Sequence, residues 1–327
     1  MTMDLTLAIC MYNAEKYIKE TLSCIVNQTV QDFYLLIVDD CCTDKSVEKV
    51  NTFFDKHPRQ YEIAHVNPNK GLCAGRLYVE HTAQTKYILF VDSDDLPCPT
   101  LVEKLYNKIS EDNDLIAVGC YLDYIDSEGK KLDGGIYLGE TNKEDFYKKA
   151  KAGKLIFMQP TAIYDRELAL SVGGHNVEGF PEGKPRYADL CEDLDLWTRM
   201  SDLYVDKKAI VVIPEVLCHY RKHQKAMSTN SLGMILRMKH IKRNVKARRN
   251  GQKNISFVDF LQSIPADVMN VIRKNAKAAD NFRDAYYELK DFHILQGCYL
   301  LVLAIVQNPK YVFDKITKNL LHIKWKK

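Results

Sequence analysis

"FYLLIVDDCCTDKS", Phe33 to Ser46, decides the fold. An unbroken apolar run from Phe33 to Val38 ends in two carboxylates, Asp39 and Asp40, and is followed by Val47, Val50 and Phe54 at helical spacing. A strand that is apolar on both faces must be covered on both sides, so the stretch reads as strand, turn and crossover helix of a parallel sheet. Two adjacent cysteines, Cys41 and Cys42, sit in the turn and invite a metal or redox reading. Neighbouring side chains diverge, however, and the ten cysteines include no CxxC pair of the kind zinc sites use. Most of them read as small buried hydrophobes.

Outward from this stretch the pattern recurs. "LTLAI" (Leu5–Ile9) predicts a first strand, with Asn13 capping a helix that carries Ile18, Leu22 and Ile25. "YEIAHV" and "KYILFV" predict a third and a fourth strand with a helix between them, and "LIAVG" (Leu115–Gly119) a fifth, after a helix carrying Leu101, Leu105 and Ile109. The fold class is therefore α/β, with a parallel, Rossmann-like sheet. Such sheets bind ligands at the carboxyl ends of their strands. Those ends carry "MYN", "DDCCTD", "NPNKG" and "DSDD".

From about 121 to 221 the chain breaks into shorter elements, including "LIFMQPTAIY", "RELALSV" before Gly173 and Gly174, "EDLDLWTRM" and "AIVVI", which read as an extension able to hold a second substrate. Beyond about 230 come basic and apolar helices, among them "RMKHIKRNVKARRN" and "HILQGCYLLVLAIV".

The 327 residues are 46% hydrophobic and 27% charged, with a net charge of +3, ordinary for a globular protein and too mild for a nucleic-acid partner. The opening "MTMDLTLAIC" has no basic region before an apolar run, and nowhere do about 18 uninterrupted apolar residues occur. A cytoplasmic location is expected.

Asp92, Asp94 and Asp95 crowd one turn after a buried strand, and carboxylates this close are stable together mainly when they share a cation. Turn and cap preferences account for Asp95 but less well for the whole set. Glu192 and Asp193 open a helix, where acids complement the dipole and where a held carboxylate could serve as a general base. His219, Arg221 and His223 share one face of an extended segment and suit phosphate contact and metal ligation.

In order, "AICMYNAEKY", "IVDDCCTDKS", "NKGLCAGR", "ILFVDSDD", "GGHN", "EDLDLW" and "HYRKH" resemble the family 2 glycosyltransferases of GT-A fold, over roughly Leu5 to Ser231. The resemblance implies a GT-A domain over 1–231, with a nucleotide-sugar half to about 120 and an acceptor half over 121–231, followed by a helical region over 232–327. It implies that Tyr12 stacks on the nucleotide base, that Asp40, with Asp39 beside it, hydrogen-bonds the base, and that Lys70 and Arg76 lie near the diphosphate, where the phosphate contact read for Arg221 would join them. Asp92 and Asp94 match the family's DxD motif, for ribose and metal, His223 a histidine that completes the metal site, and Asp193 the catalytic base. The family's base-binding loop usually reads DDGSTD, so Cys41 and Cys42 stand where a glycine and a serine are usual.

The implied activity is inverting transfer from a nucleotide-diphosphate sugar, UDP-linked by expectation, to a hydroxyl of a glycan or lipid-linked acceptor in bacterial surface polysaccharide synthesis, with Mg or Mn as cofactor. The basic and amphipathic C-terminal helices add an expectation of peripheral association with the inner face of a membrane. Two other readings stay open. A nucleotidyltransferase would carry a glycine-rich basic loop near the N-terminus, where this chain has "CMYNAEKY". A non-catalytic nucleotide-sugar-binding protein of the same fold would have an eroded DxD or ED motif, and both are intact.

Overall fold

The computed structural model describes residues 3–222, 229–290 and 292–324, with side chains to 317. Contacts divide the chain into two units: Met1–Glu178 with Cys191–His223 and Ile241–Asn254, and Gly179–Leu190 with Gln224–His240 and Ile255–Lys327.

The first unit is built on a nine-stranded sheet. Its first part alternates β1 (Leu5–Met11), α1 (Ile18–Val26), β2 (Tyr34–Asp39), α2 (Ser46–Lys56), β3 (Glu62–His65), α3 (Leu72–Thr82) and β4 (Tyr87–Phe90). The strands Leu5–Met11 and Tyr87–Phe90 are buried nearly throughout, because helices cover both faces. β1 pairs in parallel with β2 and β4, and β2 with β3. Met11 lies level with Asp39, and Asp39 with His65. Four polar strand ends therefore share one edge.

The remaining elements are β5 (Leu96–Pro97), α4 (Leu101–Ser110), β6 (Leu115–Ile125), β7 (Lys131–Ile136), α5 (Lys143–Lys151), β8 (Ala162–Asp165), α6 (Arg166–Ser171), α7 (Glu192–Met200) and β9 (Ala209–Arg221). The sheet order is β3-β2-β1-β4-β8-β6-β9-β5, with β7 on β6. To the expected parallel strands the structure adds antiparallel ones. β8 lies between β4 and β6 and is antiparallel to both, and β5 and β7 are antiparallel to β9 and β6. The run "LIAVG" of β6 keeps the direction of β4 and pairs in parallel with β9, so the reversed strands are those of the extension.

A correction concerns Asn13, which does not cap α1. It takes a left-handed backbone (φ 49°), and Tyr17 is the residue before the helix. Asparagine tolerates that conformation, and its side chain is used to join two loops.

The second unit packs Leu236, Phe257, Phe260 and Ile272 into a small core with Phe180 and Tyr187. They come from α8 (Ser231–Arg249), α9 (Phe257–Gln262) and α10 (Ala266–Lys290), and α11 (Ile294–Gln307) and α12 (Pro309–Lys324) follow. Arg237 of the basic stretch is buried there, against the rings of Phe180 and Phe257 and bonded to Leu190 O (3.0 Å). Among the described residues no helix is long and apolar enough to cross a membrane.

Candidate active site

The loops after β1 and β2 are laced together. Asn13 accepts from Thr43 N (2.8 Å), Ser46 Oγ accepts from Ala14 N (2.8 Å), and Asp44 accepts from Glu15 N (3.0 Å) and Ser46 N (2.9 Å). Tyr12 stands at this rim with 52% of its surface exposed. Asp39 accepts from Cys42 N (2.9 Å) and pairs with His65 Nδ1 (2.8 Å). Burial opposes its ionisation, but bonds from Cys42 and His65 outweigh burial and hold the carboxyl below the usual aspartate range.

Asp40 gathers the loop after β3. Its carboxylate accepts from Asn69 Nδ2 (2.6 Å), Lys70 N (2.7 Å) and Gly71 N (2.8 Å). Gly71 has φ 95°, a conformation glycine adopts at no steric cost, and it opens α3. The Lys70 side chain is exposed beside it.

Cys41 also has a left-handed backbone, φ 62°, so the turn that suits a glycine is kept without one. The Cys42 thiol is pushed up to about 12, by burial first and by Asp39 next, which leaves it unreactive. Cys41→Gly is expected to raise stability by about 0.5–1 kcal/mol by removing a strained Cβ, read as a higher urea midpoint. A lower midpoint would show that the thiol's contact with Asn67 (3.9 Å) outweighs the strain.

The Asp92–Asp95 turn is held from two sides. Thr21 of α1 donates to Ser93 O (3.1 Å) and Asp95 O (2.9 Å). Arg221, at the end of β9, donates its N–H to Asp95 Oδ1 (2.9 Å), Nε to Asp94 O (2.8 Å), Nη1 to Asp126 O and Ser127 O (both 3.2 Å) and Nη2 to Glu20 (2.8 Å). The guanidinium expected near phosphate is thus directed to this turn and its neighbours. Burial and the charge of Asp94 raise the carboxyls of both Asp92 and Asp95, the latter strongly, and Asp95 Oδ2 has no hydrogen-bond partner among the described residues. Three carboxyls crowd this turn, a setting that fits a divalent ion. Among the described residues no three His, Cys, Asp or Glu side chains form a complete metal site, so such an ion would share its shell with substrate oxygens and water. His223 lies outside the described residues.

Arg76 of α3 joins the two ends of the site. It is buried against the Phe90 ring, donates Nη2 to Asp92 (2.9 Å) and Nη1 to Glu192 (2.8 Å), the first residue of α7. Cys191 enters that helix in a left-handed conformation (φ 55°), and Asp193 follows, half-buried, with Leu194 N bonded to its Oδ1 (2.7 Å). Burial raises the carboxyls of Glu192, to about 8, and of Asp193, against the lowering pull of Arg76. One helical turn beyond Arg76, the buried Glu80 accepts from Tyr164 OH, His175 N and His175 Nδ1 (each 2.8 Å) and fixes the "GGHN" turn.

Tyr12, Asp39, Asp40, Lys70, Arg76, Asp92, Asp94 and Arg221 thus lie on one edge of the sheet, with Asp193 joined to them through Glu192 and Arg76. Sequence reasoning missed Glu192 as a partner of Arg76, and His65, Asn69, Thr21 and Glu20 as supports. Asn69 and Glu192 stood beside flagged residues; Glu20 meets Arg221 from 201 positions away and gave no local signal.

With this geometry in hand, the comparisons agree on a class of protein, an α/β transferase of GT-A type. The family model of glycosyl transferase family 2 matches residues 6–172, just over half of the chain, and the chain belongs to that family. An uncharacterized glycosyltransferase of Haemophilus influenzae is 24% identical over 261 residues, 80% of this chain and 75% of that protein. The poly(ribitol-phosphate) beta-glucosyltransferase of Bacillus spizizenii is 34% identical over 119 residues, 36% of this chain and only 19% of that protein. Among solved structures, S. aureus TarS 1–349 in complex with UDP-GlcNAc superposes with a TM-score of 0.55 over 96% of this chain and 92% of that one, at 18% identity, a likeness of fold.

Proposed function

We propose that the chain transfers a sugar from a UDP-sugar to a hydroxyl of a glycan or lipid-linked saccharide in building a bacterial surface polysaccharide, with inversion at the anomeric carbon. The observation that carries this reading is the Arg76 bridge between Asp92 and Glu192, which couples the acidic turn at the sheet edge to the helix bearing Asp193. The names of the relatives support the substrate class: one glucosylates poly(ribitol phosphate), and a structural neighbour binds UDP-GlcNAc.

In this reading Tyr12 stacks on the uracil, and Asp40, with Asp39 beside it, hydrogen-bonds the base while also holding the Asn69–Gly71 loop in place. Asp92 takes the ribose, and Lys70 offers its ammonium to the diphosphate. Arg221 acts at one remove, fixing the carbonyl of Asp94. Asp94 and His223 would hold a Mg or Mn ion, which when bound offsets charge on the diphosphate. Asp193 accepts the proton of the acceptor hydroxyl as its oxygen bonds to the anomeric carbon and the bond to the diphosphate oxygen breaks. A single displacement of this kind inverts the centre.

Calorimetric titration with UDP tests the donor site. Binding is expected to need Mn, to exceed that of GDP, and to weaken at least about tenfold in Asp94→Ala. Absence of UDP binding with and without Mn would overturn the reading.

The base also sets a pH dependence. Burial raises the Asp193 carboxyl above the ordinary 3.8, partly against Arg76, and only the ionised form accepts a proton. Activity should therefore fall as pH drops through that raised value, so the acid limb of kcat/KM lies above 3.8. A limb at or below 3.8 would speak against Asp193 as the base.

A further inference from the structure

Part of the basic stretch of α8 is spent inside the protein, while Lys239, Lys242, Arg243 and Lys246 are exposed. Arg237 is buried in the second unit's core, and Arg248 and Arg249 pair with Asp202 of the first unit. The exposed apolar surface of the C-terminal region lies on α11.

This helix is built inside out for a water-facing element. Gly297 and Ala304 face its neighbours and are buried; a Cβ on Gly297 would come within 2.6 Å of Leu289 of α10. Asn281 and Gln307 (3.0 Å) and Asn275 and Asn308 (2.9 Å) tie the same face to α10. On the opposite face Leu295, Tyr299, Val302 and Val306 recur at helical spacing, and Leu295 and Val306 leave 89% and 76% of their surface exposed. α12 adds exposed Phe313 and Ile316. Isolated exposed apolar residues need no explanation, but a continuous stripe marks an interaction surface.

Charge says what covers it. From Ile294 to Phe313 the sequence has no carboxylate and one charged residue, Lys310, which is exposed; Asp314 and Lys315, both exposed, follow before Ile316, leaving this stretch net positive. The sequence goes on with Lys318, Lys324, Trp325, Lys326 and Lys327. A two-fold pairing of this stripe with a second copy would gather two sets of lysines at one interface, whereas anionic headgroups neutralise them. Fourteen residues make about 21 Å of helix, short of the roughly 30 Å of a bilayer core, so the helix would lie in the surface plane.

We infer that the outer face of α11 and the first turns of α12 seat in the headgroup region of an anionic lipid surface, with Leu295, Tyr299, Val302 and Val306 inserted and Lys310 and Lys315 at the phosphates. The association needs neither donor nor turnover, so it stands or falls separately from the transfer reading. It would bring the site to membrane-borne acceptors.

Co-sedimentation of the full chain with vesicles of phosphatidylglycerol and phosphatidylcholine tests it, against phosphatidylcholine alone. The wild type is expected to bind the anionic vesicles, to weaken as salt rises, and to bind neutral vesicles poorly. Leu295→Asp with Val306→Asp, and separately Lys310→Glu with Lys315→Glu, should each weaken binding at least about tenfold, with circular dichroism and melting unchanged because these side chains are exposed. Absence of vesicle binding, binding undiminished in both variants, or equal binding to neutral vesicles would overturn the inference. So would a wild-type dimer that Leu295→Asp with Val306→Asp converts to monomer.

Discussion

Asp193→Asn is expected to lower kcat about 10³-fold while the Kd for UDP stays within about twofold. The substitution keeps the side chain's shape and leaves an oxygen for Leu194 N, so α7 has no reason to move. It removes only the ability to take a proton. Stopped turnover with intact calorimetric UDP binding and an unchanged melting curve would assign the residue to chemistry. Equal loss of donor binding would assign it to structure, and a loss below about tenfold would require another base.

Arg76→Met carries the other large effect. It leaves Asp92 and the buried Glu192 without the guanidinium that bonds both, and breaking a buried ion pair by removing one partner costs about 3–5 kcal/mol. For a domain of this size that is roughly 10 °C in Tm, and activity should vanish with it. The penalty should depend on pH in a set direction. Glu192 is already raised from 4.5 to about 8 with Arg76 present, chiefly by burial, and losing the cation raises it further. A carboxyl raised in the folded state favours folding at low pH and loses that contribution as pH climbs from its unfolded value through its folded one. For Glu192 the cost of Arg76→Met should thus be level below about 8, where the carboxyl is protonated in both folded proteins, and grow as pH rises above about 8. Adding Glu192→Gln, which removes a group that becomes a stranded charge only above about 8, should recover part of the loss in that alkaline range. A pH-independent penalty with no recovery would mean that Arg76 stabilises through packing on Phe90 instead.

Much of the site was legible because its residues follow apolar runs. The strand ends at Tyr12, Asp39, Asp40 and Asp92 could be found by reading where each buried strand stops, since a parallel layout delivers those ends to one edge. What the residues bond to was not legible. Arg76 and Arg221 look alike as basic residues near a phosphate site, yet one bridges two carboxylates and the other holds backbone carbonyls. Which donors meet which acceptors depends on elements far apart in the chain, as with Thr21 on Asp95 and Glu20 on Arg221. Within the basic stretch of α8 the buried Arg237 could not be told from its exposed neighbours for the same reason, because arginine serves in a core as well as on a surface once its donors are met.

By itself the sequence determined the α/β class, the order of the first four strands and helices, and the acids that end those strands, because burial on both faces and helical periodicity are local properties of the chain. It also determined that Cys41 and Cys42 have no ligand spacing. Only the tertiary structure decided that β8 enters the sheet antiparallel, that Cys41 holds a glycine's conformation, that Arg76 links the two acidic motifs, and that α11 turns its large apolar residues outward. Each of these depends on which distant segment comes to lie alongside, and pairing across the sheet or between helices leaves no mark in the pattern of either partner alone.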